Sequence, residues 1–268
     1  MAKVSYERSG AAAVLTITRP ERRNAVDDET ADLLLRGFRD FESDDDARVL
    51  VLTGEGPEAF CAGADLKAFA EKAADFQGAD PQEAVGAWLD QRPDGPLGFT
   101  RLRASKPTIA AISGWALAGG LELALWCDLR IATSDARLGF TERRFGVPLI
   151  DGGTQRLPRI VGVGRALEMI LTGRVVGAPE ALDWGLINEV VEPGRQLDRA
   201  LEIAEGLAKF PQRTMLSDRR AALEGIGLPF EDGLALEARL GRDSVITGAA
   251  GAARFAAGEG RGAEGAGV

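Results

Sequence analysis

WALAGGLELALW, residues 115 to 126, decides how this chain is read. From Thr108 to Cys127 the sequence is apolar or small, and its one charged residue is Glu122, three positions after Gly119. The run is long enough to raise a transmembrane reading. However, Ser113, Gly114, Gly119, Gly120 and Glu122 interrupt it, and no second run of its kind follows. It reads better as a strand (PTIAAISG), a glycine turn and a buried helix (GGLELALW) in the middle of an α/β core. DLRIATSD then supplies the next strand.

The same rhythm occurs upstream. ARVLVLTG, residues 47 to 54, is a buried strand, and EGPEAFCAGADLKAF behind it carries a second small-residue loop. AAVLTIT at 12 to 18 reads as a strand ending at Arg19-Pro20, and DDETADLLLRGFRDF has helical periodicity with acidic residues at its start, as the helix dipole favours. Residues 72 to 98 are polar and rich in Gly, Pro, Asp and Gln. They read as a mobile surface insertion with one short helix around Glu83 to Leu89. From Thr154 onward helices dominate: GRALEMILTG, APEALDWG, and three or four more between Gln196 and Phe255. The expected organisation is a core over residues 1 to 195, a helical region over 196 to 256 and a disordered tail over 257 to 268, where GEGRGAEGAGV has nothing to bury.

Composition limits the chemistry. The 268 residues are 45% hydrophobic, ample for one large core. The net charge of -9 disfavours nucleic acid or an anionic membrane surface as partner. MAKVSYERSG lacks the apolar segment of a signal peptide, and two cysteines, Cys61 and Cys127, give no disulfide framework, so a cytoplasmic location is expected. Histidine is absent, which removes Ser-His-Asp triads, Cys-His pairs and histidine metal sites. Proton transfers must use other groups, and carboxylates are the obvious ones. A dinucleotide fingerprint is missing too, since GVGRAL at 162 to 167 lacks the third glycine.

The two loops, FCAGADLK (60 to 67) and WALAGGLELA (115 to 124), each follow a strand and open a helix. Small residues admit a ligand close to the backbone, and a helix start points free N–H groups outward. Two such loops aimed at one oxygen would make an oxyanion hole, each donor lowering a transition state by roughly 3 to 4 kcal/mol. Taken singly, each loop also reads as an ordinary tightly packed helix start. Glu122 lies one turn past Gly119, so its side chain can return to the same place. A buried carboxylate is costly and has a raised pKa, so it is kept either to exchange a proton or as a structural partner of backbone amides or an arginine.

FCAGADLK and GWALAGGLELA, with RPERRNAV upstream and GGTQRLPRIVG downstream, resemble the enoyl-CoA hydratase/isomerase (crotonase) superfamily in order and spacing over roughly residues 4 to 256. The resemblance implies a spiral of ββα repeats and a C-terminal helical oligomerisation region, assembled as a homotrimer or a dimer of trimers. It implies an acyl-CoA thioester bound with its carbonyl between the amides of Ala64 and Gly119, with CoA as part of the substrate and no separate cofactor or metal. Ala62, Ala64, Asp65, Leu66 and Lys67 would lie along the adenine and pantetheine, and Arg22 or Arg23 would meet the phosphates. Glu142, twelve residues before Thr154, matches the second catalytic glutamate of the hydratases. One carboxylate would then activate water for addition at C3 and the other protonate C2. Hydratases commonly carry Pro-Gly-small before GGTQ; here the segment is PLIDGG, with Ile150 and Asp151. Ile150 is expected to shorten or reshape the acyl pocket. Asp151 is read as binding backbone amides in a turn, the other reading being a third carboxylate near the acyl chain. The expectation is a 2-enoyl-CoA hydratase of fatty acid or related acyl-CoA metabolism. An enoyl-CoA isomerase, a dehydratase or a non-catalytic acyl-CoA binder is the alternative.

Overall fold

A computed structural model describes residues 2–75 and 80–258. Two sheets share the strands. β1 (Val4–Ser9) and β2 (Ala12–Ile17) form an antiparallel hairpin; β2 then runs parallel to β3 (Val49–Gly54), followed by β5 (Thr108–Ile112), β7 (Leu129–Thr133) and β10 (Glu189–Val191). The second sheet has the order β4 (Ala59–Cys61), β6 (Trp115–Leu117), β8 (Arg137–Gly139) and β9 (Val175–Gly177), parallel except for β9. Chain order explains the pattern. Each of the pairs β3-β4, β5-β6 and β7-β8 gives its first strand to the large sheet and its second to the small one, then enters a helix. This is the expected spiral of ββα repeats.

The central strands are buried on both faces, as their unbroken apolar runs dictate. One core cluster joins Leu15, Leu50, Leu52, Ala110 and Ile112 to α1 (Asp28–Ser43) through Leu34, Phe38 and Phe41. Asp27 caps α1 by accepting from the Thr30 amide at 2.9 Å. A second cluster lies on the other face, where Ala200 and Ala204 of α8 (Gln196–Lys209) meet Val49, Val51, Ile109 and Ile131. The first helix after residue 195 thus packs directly on the large sheet. After α6 (Val163–Thr172) and α7 (Ala178–Asp183), four helices follow residue 195 among the described residues: α8, α9 (Gln212–Gly225), α10 (Phe230–Arg242) and α11 (Val245–Ala256). Arg219 pins α9 to the core through both oxygens of Asp128, at 2.8 and 3.0 Å. Most of the predicted disordered tail, residues 259–268, lies outside the described residues.

In the stretch 72 to 98, read as a mobile insertion, the expected short helix is present as α3 (Pro81–Asp90), and the end of α2 (Leu66–Asp75) runs into it. Asp80 caps α3 through the amides of Gln82 and Glu83. Arg92 beyond it reaches Asp28 and Asp32 on α1, both at 3.2 Å, and Arg39 of α1 reaches Asp94 at 2.8 Å. From residue 80 onward the segment is latched to α1 and packs as part of the molecule. Its polar composition hid this, because only one of its faces is apolar.

Candidate active site

A cavity of about 620 Å³ opens where the two small-residue loops meet α1, α2 and α3. Ala64 follows β4 and Gly119 follows β6, neighbouring parallel strands, so the two loops lie side by side. Gly63 carries φ +90°, and a Cβ placed there would stand 2.8 Å from the Gly119 nitrogen. The chain passes that close only because residue 63 is glycine. A Cβ on Gly120 would fall 2.0 Å from the Cys61 carbonyl oxygen, so the second glycine lets α4 (Gly119–Trp126) seat on the first loop. Between β6 and α4, Ala118 sits at φ 51°, ψ -126°, a sparsely populated conformation for a residue with a Cβ. The turn is thus bent to present the start of α4 to the cavity. Among the described residues, neither the Ala64 nor the Gly119 amide has a protein acceptor, and both residues line the cavity.

Glu122 is 3% exposed. Its Oε1 accepts from the Asp151 amide at 3.0 Å and the Gly153 amide at 2.7 Å, at the start of α5 (Gly153–Val161). Burial and the nearby Asp151 carboxylate push its carboxyl up to about 8, against those two hydrogen bonds. Glu142 lies on a short 3-10 helix, Thr141–Phe145, where a solvated loop is the ordinary reading of Glu-Arg-Arg. It too is buried, both of its oxygens lack a partner among the described residues, and burial pushes its carboxyl up to about 7. Both glutamates line the same cavity.

Asp151 also lines the cavity, and here the expectation needs correction. Its carboxylate does bind an amide, but not in a local turn: Oδ1 accepts from the Leu97 amide at 3.1 Å and from the Thr100 hydroxyl. Both donors come from the segment after α3, more than fifty residues away. Ile150 lines the wall beside it.

Ala62, Ala64, Asp65 and Leu66 line the cavity, whereas Lys67 is exposed outside it. Asp65 is tied up structurally. Burial works against its charge, yet the Ala68 amide and the Arg19 guanidinium, 3.0 Å away, hold its carboxyl below the usual range. Its amide donates to the Val26 carbonyl at 2.9 Å, part of the bridge that pairs Ala64 with Val26 and ties the first loop to the start of α1. Arg22 and Arg23 have exposed side chains outside the cavity lining; the Arg23 carbonyl accepts from the Ala62 amide at 3.0 Å, which sets that loop's approach.

Residue-by-residue reading missed the apolar wall made by Phe69, Val85, Trp88, Leu89 and Leu97. The Phe69 and Trp88 rings meet edge to face at 6.3 Å and join α2 to α3. An Asp-Pro start followed by Val85, Trp88 and Leu89 at helical spacing was the available signal.

The enoyl-CoA hydratase/isomerase family model matches residues 7–240. The chain belongs to that family. A (E)-benzylidenesuccinyl-CoA hydratase of Thauera aromatica is 38% identical over 231 residues, 86% of each chain. A short-chain-enoyl-CoA hydratase of Clostridium acetobutylicum is 37% identical, covering 87% of this chain and 86% of its own length. Among solved structures, enoyl-CoA hydratase EchA1 of Mycobacterium marinum superposes with a TM-score of 0.83 at 32% identity, over 96% of both chains.

Proposed function

We propose that this family member is an enoyl-CoA hydratase, adding water across the 2,3 double bond of a 2-enoyl-CoA, with Glu122 and Glu142 as its acid-base pair. One observation carries the reading: two buried carboxylates, both raised toward neutral pH, line one cavity with two acceptor-free amides. Such a pair holds one proton between them near neutrality, the state that acid-base addition of water needs.

The thioester oxygen would accept from the Ala64 and Gly119 amides. Ionised Glu122 takes a proton from water as the water oxygen bonds to C3, and the double-bond electrons pass to the thioester oxygen as an enolate. The two amides stabilise that charge by roughly 3 to 4 kcal/mol each. Protonated Glu142 then delivers its proton to C2, giving the 3-hydroxyacyl-CoA. The hydrogen bonds favour this division: Glu122 accepts from two amides that suit an anion, whereas no other described residue donates to Glu142. Burial works the other way, raising Glu122 to about 8 against about 7 for Glu142, so the reactive arrangement of the shared proton is the less populated one and the pair titrates as a unit. These steps use no metal or redox group, and the CoA arrives with the substrate.

Exposed apolar residues on α9, α10 and α11, among them Leu223, Phe230, Val245, Ile246 and Phe255, support assembly into a trimer or a dimer of trimers. A light-scattering mass of the native protein tests that. No helix among the described residues is long and apolar enough to cross a membrane. Two buried free thiols, Cys61 and Cys127, suit the reducing cytoplasm in which we place the protein.

Loss of enoyl absorbance from crotonyl-CoA, followed with wild type, Glu122→Gln and Glu142→Gln, tests the reaction. Rapid loss in wild type, falling by orders of magnitude in both variants, is expected. No loss in wild type overturns it. Asp151 in the same cavity favours isomerisation as the second reading; a shifted double bond in place of a 3-hydroxyacyl-CoA identifies that outcome.

A further inference from the structure

Asp151 occupies an unusual position between two parts of the site. Through its backbone amide it holds Glu122 Oε1. Through its carboxylate it holds the Leu97 amide and the Thr100 hydroxyl, and Leu97 lies against Gly119, its Cδ1 2.5 Å from where a Cβ on that glycine would be. Arg156 of α5 closes the arrangement by donating to the Asp151 carbonyl at 2.8 Å and to the Thr100 carbonyl. Asp151 is 4% exposed, so neither of its attachments competes with bulk water.

We propose that Asp151 is a positioning residue for hydration: it locks the Leu97–Thr100 wall to the oxyanion loop and sets a second buried carboxylate beside that of Glu122. This rests on the hydratase reading. The mechanism is electrostatic and mechanical together. A second carboxylate beside Glu122 makes a charge on Glu122 harder to hold, and burial strengthens the repulsion. The other charged groups facing this cluster are Glu142 on its 3-10 helix, Arg156 on α5 and Arg101 on the wall segment. Of these the two arginines offset part of the negative charge. Meanwhile the wall cannot swing away from Gly119 while Oδ1 keeps both donors.

Two arms test the proposal. In the first, carbon-13 NMR follows the Glu122 carboxyl through a pH titration of the full chain, assigned by its absence in Glu122→Gln. Asp151→Asn keeps the shape and removes the charge, so the Glu122 midpoint should fall by about one pH unit or more. An unmoved midpoint in folded Asp151→Asn overturns the electrostatic half. This readout does not need turnover: a shifted midpoint in a protein that hydrates nothing leaves the coupling standing and sinks the hydratase reading.

The second arm uses Thr100→Val and Thr100→Ser with crotonyl-CoA. Thr100→Val removes the donor and should raise KM roughly fivefold with kcat little changed, whereas Thr100→Ser keeps the hydroxyl and should match wild type. Equal behaviour of the two variants overturns the mechanical half.

Discussion

The Gly153 amide stands 2.7 Å from Glu122 Oε1, so the first residue of α5 fixes the one carboxylate that α4 carries. A helix start is an electropositive end, and here it meets a side chain that must be negative to take a proton from water. The contact explains why Glu122 can be both buried and ready to ionise.

Activity should therefore depend on pH as a pair, not as a single group. With Glu142 at about 7 and Glu122 at about 8, kcat/KM for crotonyl-CoA is expected to peak between those values. Below the lower one both carboxyls are protonated and no base is left. Above the upper one both are ionised and no acid is left. A flat profile from about pH 5 to pH 10 would refute the two-glutamate mechanism.

Stability should show the opposite face of the same fact. Glu142 ionises near the ordinary carboxyl value of 4.5 when unfolded but at about 7 when folded, so the folded state holds its proton over that window. The stability linked to it is fully present below 4.5 and is lost as pH rises through about 7, by an amount on the order of 3 kcal/mol. Glu142→Gln has no charge to bury, so its Tm should exceed that of wild type at pH 8, with the gap narrowing at pH 5. Calorimetry at the two pH values checks this.

Much of this site was legible. The strand-turn-helix rhythm around WALAGGLELALW fixes α4 and its neighbours because buried parallel strands are continuous apolar runs, and that signal survives in a single sequence. Glu122 was legible as the one charge in such a run. Glu142 was not, by its own surroundings: Glu-Arg-Arg gives no sign of burial, and only its spacing from GGTQ pointed to it. Short strands such as β4, β6 and β8, at three residues each, are too brief to show a period. The role of Asp151 depends on Leu97 and Thr100, contacts no local pattern can announce.

Asp65 offers a contrast between lining a cavity and serving the reaction. Its carboxylate pairs with Arg19 and receives the Lys67 and Ala68 amides at the start of α2. Asp65→Ala leaves the buried Arg19 with only Asp27, 3.1 Å away, as its acidic partner, and should destabilise the fold by about 2 to 4 kcal/mol. Denaturant titration measures the loss. If instead stability holds and only KM for the CoA ester rises, Asp65 is a ligand contact after all.

Gly63→Ala is the sharpest test of the oxyanion hole. The added methyl meets the Gly119 nitrogen and a backbone at φ +90°, so the Ala64 and Gly119 amides must separate or turn. Turnover should fall by about a hundredfold, near the effect of losing one donor. A kcat unchanged in folded protein would mean the thioester oxygen sits elsewhere.

The apolar wall predicts which substrates suffer from its removal. Trp88→Ala takes away the ring that meets Phe69 and loosens α3 from α2. Esters with acyl tails longer than crotonyl should lose more kcat/KM than crotonyl-CoA itself, by about tenfold for the loss of an aromatic contact. Comparing crotonyl-, hexenoyl- and cinnamoyl-CoA in the two proteins reads it directly.

Ala64 and Gly119 hang from β4 and β6, adjacent rungs of one peptide ladder. The placement of their amides is therefore a ruler cut from backbone hydrogen bonds, between strands that repeat at ~4.8 Å. Side-chain replacement along the wall can remodel what an acyl group meets without touching that ruler. Diversification of substrate and constancy of the electrophile's cradle are thus housed in separate parts of the chain.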